Sequence, residues 1–364
     1  GFEKSRQFKK GDILYVSIGS TIGKIALAGC DFTCNQQINV LRVNEGIDNE
    51  FVYYQLINSF PYISKFVARG VVPIMNKTTF ENISIAIPPL LDEQKRIVKK
   101  LQLLSPYVDK YNTLERTILK LDKNFPNQLK KSILQVAIQG KLVTQNPNDE
   151  PSHTLLKRIY EEKKKELKRE KISKHESIIF RRDNSYYEKL DGVDRCIDDE
   201  IPFDIPDSWE WVRLGKISTY AESKKKINVL NVDSDLWQLD LEDIERGGKI
   251  LRFKTVKEGK GVGDKTFFSK GDILYSKLRP YLLKILIAPA DGICTPEIVP
   301  FQLYAGIIPE YIVAFLKSPY VDSVINSVTY GIKMPRVGTQ TMVSLLVPVP
   351  PLEEQKRIVE YINK

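Results

Sequence analysis

Histidine occurs twice and cysteine four times in this 364-residue chain, and that scarcity removes most metal and nucleophile chemistry at the outset. His153 and His175 sit in a charged stretch, far from the one close cysteine pair, Cys30 and Cys34. A structural zinc site needs four converging ligands, so no metal is expected. With Cys196 and Cys294 scattered elsewhere, no disulfide framework is read, and the thiols are expected to be reduced in a cytoplasmic protein. No apolar run approaches the roughly 20 residues of a membrane span, and nothing reads as a secretory signal.

Enzyme signatures are equally thin. Gly19-Ser20-Thr21-Ile22-Gly23-Lys24 has the look of a phosphate loop, but three residues rather than four separate its glycines. Ile25 also stands where a magnesium-binding hydroxyl is needed. Glu93-x-Lys95 and Glu354-x-Lys356 share the carboxylate-x-lysine tail of a magnesium nuclease, yet both open helices, where acidic residues simply favour the dipole. No Asn-Pro-Pro-Tyr motif of the base-methylating type is present, and no Gly-x-Gly loop follows a predicted strand. The chain therefore reads as a non-catalytic binder without a cofactor of its own.

What is present is an ordinary globular composition, 42% hydrophobic and 28% charged. Lys and Arg number 55 against 46 Asp and Glu, a net +9 that favours a polyanionic partner. Two phrases recur. Phe8-Lys9-Lys10-Gly11-Asp12-Ile13-Leu14-Tyr15 returns as Phe268-Ser269-Lys270-Gly271-Asp272-Ile273-Leu274-Tyr275, and Pro88-Pro89-Leu90-Leu91-Asp92-Glu93-Gln94-Lys95-Arg96 as Pro350-Pro351-Leu352-Glu353-Glu354-Gln355-Lys356-Arg357. A period of about 260 residues is far beyond any solenoid repeat and marks a duplicated domain.

Residues 1–87 carry short apolar bursts punctuated by Gly and Asn, which read as strands and turns. A helix is expected over Glu50–Ile57 and again over Pro309–Leu316. From Asp92 the period changes: Ile97, Leu101, Leu104, Val108 and Tyr111, then Leu114, Ile118, Leu121 and Phe125, step by three and four. That is a coiled-coil seam of about four heptads, a strut of about 33 residues or about 50 Å. Pro106 is expected to interrupt or kink it, and Pro126 to stop it or open the next helix. Residues 142–204 read as a charged helical connector, and Ile205-Pro206-Asp207-Ser208-Trp209-Glu210-Trp211 opens a second β-rich domain.

Two β-rich domains, each closing on the Pro-Pro-Leu phrase, with Ile138-Gln139-Gly140-Lys141-Leu142-Val143 and Ile205–Gly215 between them, resemble the specificity subunit of type I restriction-modification systems. The resemblance implies an α+β chain with two mixed, β-rich target-recognition domains separated by long coiled-coil-like helices. Residues 1–89 would be a partial first recognition domain, 90–141 a helical strut, 142–204 the connector, 205–350 the second recognition domain, and 351–364 the start of a second strut. On this alignment the chain reads as truncated at both ends, an allele that is silent or recombinable being one alternative and a protein-binding scaffold another.

The resemblance further implies double-stranded DNA as ligand, with a split target read one half per domain. It implies two adenine methyltransferase subunits docked on the helices, and a motor-endonuclease subunit through them. S-adenosylmethionine, ATP and magnesium would belong to those partners. A strut of about 50 Å spans one to two turns of B-DNA. Base reading by Arg or Lys at guanine and by Asn or Gln at adenine makes Lys24, Asn35, Gln36, Gln37, Arg69, Asn76 and Lys77 the candidates of the first domain. Those of the second are Lys277, Arg279, Lys284, Lys333 and Arg336. Ile97, Leu101, Leu104, Val108, Leu114, Ile118 and Leu121 form the expected partner-docking seam.

Overall fold

The computed structural model describes residues 7–19, 21–35, 37–63, 74–170, 177–190, 192–222, 224–259, 263–304, 306–329 and 333–364. The chain divides into two compact units, Gly1–Lys123 and Asn124–Lys364. Among the described residues no helix is long and apolar enough to cross a membrane.

In the first unit, β1 (Ile13–Val16) is flanked antiparallel by β2 (Ile25–Leu27) and β3 (Ile38–Leu41). Alternation along β1 turns Ile13 and Tyr15 inward, both fully buried. Helix α1 (Asn49–Ile63) lays Val52 and Leu56 against Ile13. Helix α2 (Lys77–Glu81) follows, and α3 (Leu91–Ile138) buries Gln94 and Val98 in its first turns. Helix α3 is longer than its heptad pattern predicts: 48 residues without a break. Pro106 and Pro126 each free a carbonyl one turn back, at Gln102 and Asp122. Both lie in an exposed stretch where water satisfies the freed group, so the helix continues through them.

The second unit takes the end of α3, where Ala137 and Ile138 enter a large core and Leu134 is also buried. Gly140 then turns the chain at φ +69°, and a Cβ there would lie 2.5 Å from Pro206 and 3.2 Å from Trp209. Helix α4 (Ser152–Glu170) adds Leu155, Leu156 and Ile159 to that core. The connector is only partly helical. Residues 177–196 form an antiparallel meander of β4 (Ser177–Arg182), β5 (Ser185–Leu190) and β6 (Val193–Cys196). Its first hairpin closes on Asp183 and Asn184, both at positive φ, as a two-residue turn requires. The charges of the preceding helix mask the β-forming run Ile178-Ile179-Phe180 and Tyr186-Tyr187 in the sequence pattern.

Beyond it come β7 (Glu210–Arg213), α5 (Leu214–Ile217), β8 (Lys226–Asn228), β9 (Trp237–Leu239), β10 (Lys254–Thr255) and β11 (Asp264–Phe268). Then follow β12 (Ile273–Ser276), β13 (Ile285–Ile287), β14 (Gly292–Cys294), β15 (Ile298–Phe301), α6 (Pro309–Leu316), α7 (Pro319–Val328), α8 (Thr339–Ser344), β16 (Leu346–Val349) and α9 (Leu352–Asn363). They build a five-stranded sheet ordered β10-β9-β14-β11-β8, a three-stranded sheet β13-β12-β15, and the pair β16-β7. The architecture is α+β throughout, as expected from the sequence. Arg213 clamps the meander by ion pairs to Glu188 and Glu200, each 2.7 Å.

The repeated phrases fold alike. Ile13 pairs with Leu27 and Leu41, and Ile273 pairs with Ile287 and Phe301, in the same register. Asp12 Oδ2 accepts the Lys9 N–H at 2.8 Å, as Asp272 Oδ2 accepts that of Ser269 at 2.9 Å. Gln94 Oε1 accepts the Asp48 N–H at 2.8 Å while its Nε2 donates to Pro88 O at 2.9 Å. Gln355 repeats both bonds, to the Ile308 N–H at 3.0 Å and Pro350 O at 2.9 Å. Each Gln is buried, and its amide satisfies two backbone groups that would otherwise lack that partner.

A separate buried charge network braces the second unit. Lys265 reaches Asp240 at 2.8 Å, and Lys254 reaches Asp240 at 2.9 Å and Asp243 at 2.6 Å. Burial works against the Asp240 charge, but hydrogen bonds from Lys265, Lys254 and Gln238 outweigh it and bring its pKa down to about 2.

Two outcomes follow. Gln355→Ala leaves two buried backbone groups unpaired and is expected to cost about 2–4 kcal/mol in urea unfolding; a loss under about 0.5 kcal/mol would refute the role. For Asp240, a depressed pKa means its stabilisation is complete above about pH 4 and lost as pH falls towards 2. Asp240→Asn is expected to flatten the urea midpoint in that window; an unchanged slope would contradict the network.

Candidate nucleic-acid interface

The sheets β2-β1-β3 and β13-β12-β15 each have one end where the chain leaves the central strand and enters both neighbours. In the second unit this end is built by the loop after β12, the turn before β13, the approach to β15 and the segment 333–337. An isolated bridge joins Leu278 to Arg336. The Arg279 N–H donates to Pro335 O at 2.7 Å, the Val337 N–H to Lys277 O at 3.1 Å, and the Lys277 N–H to Glu297 O at 3.0 Å. Lys277, Arg279, Lys284, Lys333 and Arg336, read separately from loops, therefore belong to one cluster.

Their freedom differs. Arg336 is held by Glu297 at 3.0 Å. Lys284 Nζ donates to Leu241 O at 2.7 Å, and its pKa is lowered by burial and by the charge of Arg279. Both serve the loop's own structure. Arg279 and Lys333 are exposed, and among the described residues neither side chain has a partner. Arg279 and Leu283 bracket a short 3₁₀ turn (Pro280–Leu282) at φ +49° and +50°, left-handed values that cost non-glycine residues about 1–3 kcal/mol. The turn's own hydrogen bonds, Leu282 N–H to Arg279 O and Leu283 N–H to Pro280 O, hold that geometry. Beside it Leu241, Leu278, Leu282 and Met334 line a depression of about 150 Å³.

The first unit presents the same end with other side chains. The Met75 N–H donates to Ser17 O at 2.8 Å, the Ser17 N–H to Gln37 O at 2.9 Å, and Ile18 bridges Ile74. This gathers Lys24, Asn35, Gln37, Asn76 and Lys77; Gln36 and Arg69 lie outside the described residues. Asn76 Oδ1 caps α2 by accepting the Thr79 N–H at 2.8 Å, and Asn35 Oδ1 accepts the Gln37 N–H at 3.0 Å. Their carbonyls are engaged at home, which leaves Lys24 and Gln37 exposed for an outside contact, and Lys77 beside Glu81 at 3.5 Å.

Along α3, Ile97, Leu101, Leu104, Val108, Leu114, Ile118 and Leu121 are each at least 37% exposed. Such a stripe on a solvated helix is unusual, and large exposed apolar surfaces mark association sites. Among the described residues no three His, Cys, Asp or Glu side chains converge to hold a metal. The residues missed by the sequence pattern are Glu297, which fixes Arg336, and the two buried glutamines. The glutamines did carry a signal, since each stands inside a repeated phrase.

Comparison with known proteins gives consistent relatives. Residues 1–123 and 206–364 match the family described as the type I restriction modification DNA specificity domain. The Type I restriction enzyme EcoAI specificity subunit of Escherichia coli is 30% identical over 254 residues, covering 66% of this chain and 39% of that protein. The EcoDI specificity subunit of the same species is 26% identical over 322 residues, covering 87% of this chain and 63% of that protein. The chain thus spans less than two-thirds of either relative. A solved chain from work on complex assembly and conformational transition of the type I R-M system superposes with a TM-score of 0.56 at 17% identity, over 99% of this chain and 76% of that one. At that identity the likeness carries the fold.

Proposed function

Because the chain belongs to the type I restriction-modification DNA specificity family, we propose that it reads double-stranded DNA as two half-sites, one at the described end of the sheet β2-β1-β3 and one at that of β13-β12-β15. The observation that carries this reading is the repetition of one frame with unlike tips. The registers of β1 and β12 coincide, while the loops that follow them hold Ile18-Gly19 in one case and Leu278-Arg279 in the other. A constant frame delivers each tip at the same angle, and different tips read different bases.

In this reading Arg279, preformed in its left-handed turn, offers its guanidinium fork to a guanine edge in the major groove. Lys24 and Lys333 supply phosphate contacts, and Gln37 is the amide in the first unit suited to adenine. The exposed stripe of α3 docks two adenine methyltransferase subunits, and a motor-endonuclease subunit joins through them in the cytoplasm. S-adenosylmethionine, ATP and magnesium act on those partners; this chain contributes position, not bond-making.

Two measurements test the proposal. In a gel shift titrated with salt, Arg279→Ala is expected to lose about 1–3 kcal/mol and to relax specificity at one position. Lys333→Ala weakens all sequences alike and flattens the salt dependence by about one counterion. Affinity indifferent to salt would turn the reading towards a protein-binding scaffold. Removing one heptad from the exposed stretch of α3 is expected to shift the preferred gap between half-sites by about three base pairs, mapped by sequencing methylated adenines after mixing with the methyltransferase subunit; methylation blind to that gap would overturn the ruler.

A further inference from the structure

The end of the sheet β13-β12-β15 that carries Arg279 also carries the depression of about 150 Å³ beside it. Three chain segments wall this hollow, and hydrogen bonds tie them together. Lys284 Nζ donates to Leu241 O at 2.7 Å and the Gly247 N–H to Leu282 O at 3.0 Å, which fastens residues 241–247 to the 3₁₀ turn. The bond from the Arg279 N–H to Pro335 O, at 2.7 Å, fastens the segment of Met334 to the same turn. A hollow held in this way is formed before anything enters it, so little ordering is left for a ligand to impose.

Its lining is of two kinds. Leu241, Leu278, Leu282 and Met334 present carbon and sulfur, Met334 at 49% exposure. Arg279 and Glu242 stand at the same hollow with their charges. Glu242 faces Lys254 at 3.5 Å and Arg252 at 3.9 Å, so its charge is answered within the protein. Arg279 has no side-chain partner among the described residues, and the matching position of the first unit is Gly19, which has no side chain to offer. The second unit thus sets an uncommitted guanidinium beside an apolar hollow, and the first unit has no counterpart of that guanidinium.

In the major groove of unmodified B-DNA the base pairs show donors, acceptors and one apolar group, the thymine C5-methyl. A phosphate would gain nothing from the leucines and Met334, and would meet the Glu242 carboxylate. Neighbouring base pairs lie about 3.4 Å apart, so a guanidinium and a hollow that share a wall meet successive pairs. Resting on the reading of this sheet end as a DNA-reading site, we propose that the hollow takes the methyl of a thymine directly adjacent to the guanine that Arg279 reads. The second half-site then holds a T·A pair next to a G·C pair. The methyl, rather than the hydrogen-bonding edge of that pair, selects the thymine.

The test is selection by the full chain from two random duplex pools, one carrying dT and one carrying dU in its place throughout. Uracil pairs as thymine does and lacks only the methyl. The half-site of the second unit is the one whose G·C column relaxes with Arg279→Ala. The dT pool is expected to give a T·A column beside that G·C column, and the dU pool the same G·C column with its neighbour flattened. A duplex with dU for dT at that one position should bind about fourfold more weakly. Met334→Gln, at a half-exposed position, should make the dT and dU duplexes bind alike. Two gapped blocks identical in the dT and dU pools would overturn the methyl-reading hollow and leave DNA reading intact. A loss on replacing dT by dU that Met334→Gln leaves unchanged would place the methyl contact elsewhere and also overturn it. No consensus from either pool would remove sequence reading and this inference together.

Discussion

One buried amide sets the geometry of each half of this protein. A glutamine offers a donor and an acceptor at the tip of a flexible stem, and Gln94 and Gln355 use both: the acceptor takes a backbone N–H at the head of α1 or α6, and the donor reaches the carbonyl of the first proline. The long helix therefore leaves its own sheet in a fixed direction. Glutamate would lack the donor and leucine both groups, so the phrase around this residue tolerates change at its flanks but keeps the amide in both copies.

Upon that constant frame the sheet ends diverge. Gly11 and Gly271, at φ +88° and +92°, turn into the central strands identically, and Asp12 and Asp272 hold the turn in the same way. The divergence begins after the strand. The first unit makes the turn with Gly19 and Gly23 at φ +87° and +86°, whereas the second makes it with the non-glycine residues Arg279 and Leu283. The second unit braces it with Glu297 and Leu241, and leaves Arg279 and Lys333 without a side-chain partner among the described residues. Strain maintained by so many surrounding bonds points to a loop whose shape matters more than its stability. Arginine presented on a stiff loop forfeits less entropy on meeting a base edge than the same side chain on a loose one.

Much of this was legible in the sequence because duplication reveals itself without any structural knowledge. The repeated phrases located the sheet and the helix start, and the three-four spacing located α3. What stayed hidden is instructive. Pro106 and Pro126 argue locally against a helix that solvent lets continue. Lys254 and Lys265 look like surface charges until Asp240 and Asp243 are folded beside them. Phe180 and Tyr187 pair across a hairpin that Arg213 anchors from outside through Glu188. Asn76 carries a base-reading functional group, yet its carbonyl caps a helix of five residues. Local pattern fixes where a side chain lies along an element; it does not say which of its atoms are already engaged.

The account rests on two sheet ends reading separate stretches of one duplex. Selecting bound sequences from a random DNA pool with the intact chain tests that most directly. Two short conserved blocks with an unread gap of constant length between them is the predicted result. A single contiguous block, or recovered sequences without any consensus, would contradict it.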